Sequence, residues 1–189
     1  MDHALKPTAG AAWVLEAVGY DPLREGSLES RFAISNGFLG IRGARAITRG
    51  ARWVVPPHTY VAGLFDTLGT KPAIPELVPA ADWLKVRISL SGMPLVHHPG
   101  DASSHRMTLD LRRGALLAES GLLKAPGVGI RLRTLRLVSI SERALGLQLI
   151  HLEVEDGEVE VTLEASFEGI NLGLVCERLG SGPNKTVVV

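Results

Sequence analysis

Glu29-Ser30-Arg31-Phe32-Ala33-Ile34-Ser35-Asn36-Gly37-Phe38-Leu39-Gly40-Ile41-Arg42-Gly43 is the stretch around which this chain is organised. Gly37, Gly40 and Gly43 recur at every third residue, Asn36 precedes the first, and Phe38, Leu39 and Ile41 are threaded between them. Asn-Gly is a strong signal for a tight reversal, because both residues tolerate positive φ. Gly40 and Gly43 then interrupt an apolar extended run, where a missing side chain marks a bulge or a close backbone approach. The stretch predicts a strand, a sharp turn, and a second strand that something approaches closely. That neighbour is either another strand of the same sheet or, on a functional reading, a second domain or a sugar.

The flanking sequence repeats the β pattern. Trp13 to Tyr20 reads as a strand closed by Asp21-Pro22. Tyr60 to Phe65 reads as a short strand, and Leu68 to Ala81, with Pro72, Pro75 and Pro79, as a long irregular loop. Leu84, Val86, Ile88 and Leu90 alternate along a half-buried strand that turns at Ser91-Gly92. His105 to Arg112 and Ala115 to Leu123 are further strand candidates, joined by a turn at Gly114. Later, Ile130 and Leu132 occupy one frame while Leu135 and Leu137 occupy the other, which predicts a bulge near Thr134. Leu145, Leu147 and Leu149 alternate before the frame slips to Ile150, Leu152 and Val154. Asp156-Gly157 predicts a two-residue hairpin into the alternating run Val159 to Phe167. No convincing helical period appears, so the expected fold is all-β, with large antiparallel sheets packed face to face as a sandwich.

Twenty basic and twenty acidic residues cancel, so the chain carries no electrostatic footprint for nucleic acid or an anionic membrane surface. A single cysteine, Cys176, is expected to be a buried thiol in a reducing compartment. No apolar run approaches the roughly 18 residues needed to span a bilayer. Glu16 interrupts the apolar run near the N-terminus that a leader would need. Together these point to a cytoplasmic protein. Residues 1–12 read as a flexible arm, 13–176 as one domain, and 177–189 as a divergent tail that suggests truncation.

Candidate chemistry is sparse, and no metal or cofactor is expected. His97, His98, Asp101 and His105 could be imagined as metal ligands, but adjacent histidines on an extended chain point to opposite sides. A mutarotase-type proton transfer would need His151 and Glu168 to meet, which nothing in the spacing requires. Carboxylates for glycoside cleavage would have to come from Glu29, Asp66, Glu76, Asp82 or Asp110, most of them at strand ends or turns. Trp53 and Trp83 are the sugar-stacking candidates, with core packing as the alternative for each. Asn36, Gly37, Gly40, Arg42 and Gly43 form a candidate structural or interface motif.

The order of motifs resembles the start of glycoside hydrolase family 65, the maltose, trehalose and kojibiose phosphorylases. The resemblance runs through Trp13, Gly19-Tyr20-Asp21 and Glu29 to Gly43, with Phe38 where the family has tyrosine. It continues through Thr59 to Asp66, Glu76-Leu77-Val78 with Trp83, and Leu109-Asp110-Leu111 with Arg112 and Gly114. Leu111 stands where methionine is usual, and Leu137-Val138-Ser139 matches less closely. The resemblance implies a large antiparallel supersandwich of the galactose mutarotase-like type. It also implies an intact enzyme that carries out inverting phosphorolysis of an α-glucosyl disaccharide, with inorganic phosphate as substrate. In that family the general acid and the phosphate site belong to an (α/α)6 barrel following this domain, so no catalytic residue carries over here. The expected partners are that barrel and a second subunit of a homodimer. A stand-alone carbohydrate-binding module with weak sugar affinity is the alternative, and a small epimerase a third reading. An exposed apolar patch between Leu68 and Trp83, together with the glycine-spaced stretch, is expected to meet the barrel.

Overall fold

A computed structural model describes residues 3–21, 23–46, 59–67, 74–84, 86–96, 103–124 and 128–165. They hold twelve strands, one short α-helix and one turn of 3-10 helix at Ala11–Trp13. These are β1 (Val14–Val18), α1 (Glu25–Arg31), β2 (Ile34–Ser35), β3 (Leu39–Ile41), β4 (Thr59–Thr67), β5 (Pro75–Pro79) and β6 (Val86–Leu90). β7 (Met93–Pro94), β8 (Ser103–Asp110), β9 (Ala115–Lys124), β10 (Val128–Val138), β11 (Gly146–Asp156) and β12 (Val161–Ala165) complete the order.

They form a five-stranded sheet β1-β8-β9-β10-β11, a four-stranded sheet β2-β3-β4-β5 and a three-stranded sheet β12-β6-β7, with every pairing antiparallel. The two smaller sheets cover one face of the large one. Phe32, Ile34, Leu39 and Ile41 pack against Met107, Leu109, Leu116 and Val138. Ile88 and Leu95 pack against Leu122 and Leu132. The expected all-β antiparallel sandwich is the fold observed.

The frame slips have a different cause from the one the sequence suggested. β10 pairs without interruption from Ile130 to Val138 on β11 and from Val128 to Leu137 on β9, so there is no bulge at Thr134; the irregularity falls between Gly129 and Ile130. Instead, the large sheet is covered on both faces over part of its length. Leu132 and Val138 face the smaller sheets, while Leu135 and Leu137 join Leu117, Leu149 and Leu5 in a separate cluster on the other side. A strand buried on both faces shows apolar residues in both frames. The same account covers β11, where Leu149 faces outward and Ile150 and Leu152 face inward.

Four further expectations need correction. Residues 1–12 were expected to be a flexible arm, but Leu5 is buried and the Arg113 guanidinium donates to the carbonyls of Ala4 and Lys6. The stretch expected to open on a strand begins instead in a helix, since α1 takes in Glu29, Ser30 and Arg31; at seven residues it is too short for its period to be read reliably. Within the proline-rich segment expected to be a loop, Pro75–Pro79 is a strand. It lies at the edge of its sheet, where a missing amide hydrogen is tolerated. Finally, Asp156-Gly157 does not form a hairpin between adjacent strands. Gly157 has φ +82°, but β12 crosses to the other layer and pairs with β6, where Val161 packs on the cluster around Ile88.

Candidate functional site

The glycine-spaced stretch folds into a clasp whose residues are occupied by internal contacts. Ser35 pairs with Gly40, so Gly37 and Phe38 are the two central residues of the reversal. Gly37 has φ +83°, and it is the central residue with positive φ. That pattern belongs to a type II′ turn rather than the type I′ turn favoured by Asn-Gly at the centre. Asn36 stands just before the loop, and its side chain bonds at both ends. Its Oδ1 accepts from the amides of Phe38 (3.0 Å) and Leu39 (2.8 Å), while Nδ2 donates to the carbonyls of Ser139 (2.5 Å) and Arg143 (2.9 Å). Asn36 thus shapes its own turn and joins it to the β10–β11 connection in the large sheet.

The other two glycines have unlike environments. A Cβ at Gly43 would lie 2.6 Å from Phe32 Cβ and 2.7 Å from Phe32 O, whereas one at Gly40 would meet Ser35 at an ordinary 3.7 Å. At Gly43 the close neighbour is therefore the C-terminal end of α1, none of the three the sequence suggested, while Gly40 does lie beside a strand of its own sheet. The Gly43 amide donates to the carbonyl of Glu29 (2.8 Å), and Arg42 donates to Gly26 O and Ser30 Oγ, both at 3.1 Å, with Glu29 Oε2 at 3.5 Å. Arg42 and Gly43 fasten α1 to the end of β3.

Beneath the clasp lies a polar joint that sequence reading missed. Arg136 is 2% exposed on the inner face of β10. Its Nε donates to Gln148 Oε1 (2.6 Å), Nη1 donates to Ala44 O, and Gln148 Nε2 donates to Leu84 O (3.0 Å). One guanidinium thus ties the large sheet to the segments leaving β3 and entering β6. Burial lowers its pKa to about 10, against the opposing charge of Asp82, so it remains a cation at neutral pH. The available signal was an arginine in the inward frame shared with Leu132 and Val138.

The remaining candidates do not converge. Trp83 is half-buried against the core, with its ring where a Cβ on Gly146 would lie, 2.5 Å from Trp83 Cζ2. Trp53, His97, His98, Asp101, Glu168 and Cys176 lie outside the described residues. His105 is buried, with Nδ1 3.0 Å from Ser120 Oγ, and among the described residues no three His, Cys, Asp or Glu side chains are grouped to hold a metal ion. His151 lies on the outer face, 3.3 Å from Arg133. Of the carboxylates, Glu29 is on α1, Asp66 and Glu76 are a cross-strand pair on the exposed β4–β5 ribbon, and Asp82 caps the amide of Leu84. Asp110 is fully buried at the end of β8. Burial raises its pKa, but hydrogen bonds from Thr8 and Arg113 and the Arg113 charge outweigh this and leave it below the usual carboxylate value.

Among the described residues, no helix is long and apolar enough to cross a membrane. A solved chain titled "Putative kojibiose phosphorylase from human microbiome" superposes with a TM-score of 0.72 at 20% identity, over 81% of this chain and 21% of that one. A kojibiose phosphorylase of Caldanaerobacter subterraneus subsp. tengcongensis is 25% identical over 134 residues, 70% of this chain and 17% of that protein. An uncharacterised glycosyl hydrolase of Mycobacterium tuberculosis is 28% identical over 163 residues, 83% of this chain and 12% of its own length. The chain therefore spans less than a fifth of the length of these two curated relatives. Residues 15–171 match the family model described as glycosyl hydrolase family 65, N-terminal domain, and the chain belongs to that family.

Proposed function

We propose that this domain is the non-catalytic, accessory β-sandwich of a family 65 glycoside phosphorylase or hydrolase that works in cytoplasmic carbohydrate metabolism. In the whole enzyme an (α/α)6 barrel carries the general acid and the phosphate site. The reaction is inverting phosphorolysis of an α-glucosyl disaccharide such as maltose, trehalose or kojibiose, with inorganic phosphate as the second substrate and no cofactor. The observation that carries this reading is the inward use of the motif residues. Asn36 has its hydrogen bonds on its own turn and the β10–β11 connection, and Arg42 and Gly43 hold α1, so the motif supports the sandwich rather than a bound substrate.

The surface offered to the barrel is the β4–β5 ribbon. Phe65 and Leu77 sit opposite each other there, 57% and 46% exposed, and Ile74, just before β5, is 71% exposed. An exposed cross-strand apolar pair of this kind suits a partner surface. This revises the patch expected from the sequence, since Leu39 and Ile41 of the glycine-spaced stretch are buried. Two measurements test the reading. The isolated chain should release no glucose 1-phosphate from maltose, trehalose or kojibiose in phosphate buffer, and it should bind a separately expressed family barrel, with binding weakened by Phe65→Asp. Turnover by the isolated chain, or indifference to the barrel, would refute it.

A further inference from the structure

The accessory role does not account for Asp110, a fully buried carboxylate. Asp110 sits where β8 turns into β9, and its two carboxylate oxygens face different partners. Oδ1 accepts from the Arg113 amide (3.1 Å) and Oδ2 accepts from the Thr8 amide (2.7 Å). Arg113 then reaches over the same N-terminal segment, donating from Nη1 to Lys6 O (2.7 Å) and from Nη2 to Ala4 O (2.9 Å). Between these anchors Leu5 is 9% exposed and covers Leu117 and Leu135 on the outer face of the large sheet. The segment forms no strand, so side-chain anchors rather than a backbone ladder hold it.

We propose that residues 3–8 are a detachable strap, that Asp110 and Arg113 are its catch, and that Leu5 is the plug it lays over an apolar strip of the large sheet. Opening the catch uncovers Leu117 and Leu135 beside Leu147, which is already 41% exposed. The strap is also one wall of a groove of about 310 Å³ whose other walls include Glu16, Arg106 and Glu119, so opening it removes that groove. Terminal segments outside the sheet ladders open locally without global unfolding.

Thermolysin, which cuts before large apolar residues, reads this out in the full 189-residue chain. The Ala4–Leu5 bond becomes available only when Leu5 leaves the sheet. Arg113→Ala should speed that cut by about tenfold or more, since cutting follows the open population and one hydrogen bond to a charged group corresponds to roughly that factor. Leu5→Asp should expose the strip directly, seen as increased binding of an apolar fluorescent dye. Arg112→Ala, in the same turn but exposed, should leave the cutting rate unchanged. A variant that unfolds globally would be cut at interior leucines as well, and interior cutting is followed in the same digest. If Arg113→Ala is cut at Ala4–Leu5 no faster than Arg112→Ala, the catch is refuted. If wild type is cut there as fast as a free peptide of residues 1–12, or if dye binding by Leu5→Asp matches wild type, the strap is refuted.

Discussion

Replacing Gly43 with alanine should cost the domain far more than the same change at Gly40, although both belong to one repeat. At Gly43 the new methyl would fall 2.6, 2.7 and 2.9 Å from Phe32 Cβ, O and C. Two of those atoms are backbone, and Phe32 is 1% exposed in the middle of the first core cluster, so it cannot swing aside. Relief requires α1 and β3 to move apart, which strains the bond from the Gly43 amide to Glu29 O. Overpacking of this kind costs about 1–3 kcal/mol and a weakened hydrogen bond about 1 kcal/mol more. A total of roughly 2–4 kcal/mol lowers Tm by about 5–15 °C in a domain of this size. At Gly40 the methyl would meet Ser35 at 3.7 Å with no positive φ to strain, so the change should stay within about 0.5 kcal/mol. Thermal unfolding followed by circular dichroism compares the two variants. Equal shifts, or a Gly43→Ala variant within about 2 °C of wild type, would show that close approach to α1 is not why glycine stands there.

Other expectations follow from the same contacts. Gly37→Val should destabilise by about 1–3 kcal/mol because its φ of +83° suits glycine, and an unchanged Tm would contradict that geometry. Asn36→Asp should unfold at lower temperature than Asn36→Ala, because it sets a carboxylate oxygen against the carbonyls of Ser139 and Arg143; the reverse order of Tm values would mean Nδ2 does not face them. Asp110 has a folded-state pKa below its ordinary value, so it contributes stability that is present above the unfolded value of 3.8 and lost as pH falls through the folded one. Asp110→Asn should therefore flatten the acid limb of stability below about pH 4, and an unaltered limb would exclude the carboxylate. Trp83, half-buried with its ring over Gly146, should show no change in fluorescence on titration with glucose or maltose, whereas saturable quenching that disappears in Trp83→Phe would restore the sugar-stacking reading.

What the sequence determined by itself was local. Period-two alternation made the strands legible, because one face of each is dry, and Asn36-Gly37 marked a reversal because few residues accept positive φ. Ser91-Gly92 likewise turns with both residues at positive φ, 46° and 79°. The spaced motifs also carry the family's signature, over residues 15–171. Tertiary structure alone decided what covers each face. The slip between Leu132 and Leu135 looked like a bulge because the sequence cannot show that Leu5, well over a hundred residues earlier, lies on the far side of the sheet. Asp156-Gly157 carries a hairpin signal, yet β12 gains more by pairing with β6 and packing Val161 on the second cluster than by returning along β11. The three glycines look alike in sequence but differ in the fold, one needed for its φ, one for contact with Phe32 and one for neither. Arg136 reads as a surface charge until β11 and the segment after β3 converge on it, since what a buried guanidinium bonds to is set by chain paths distant in sequence.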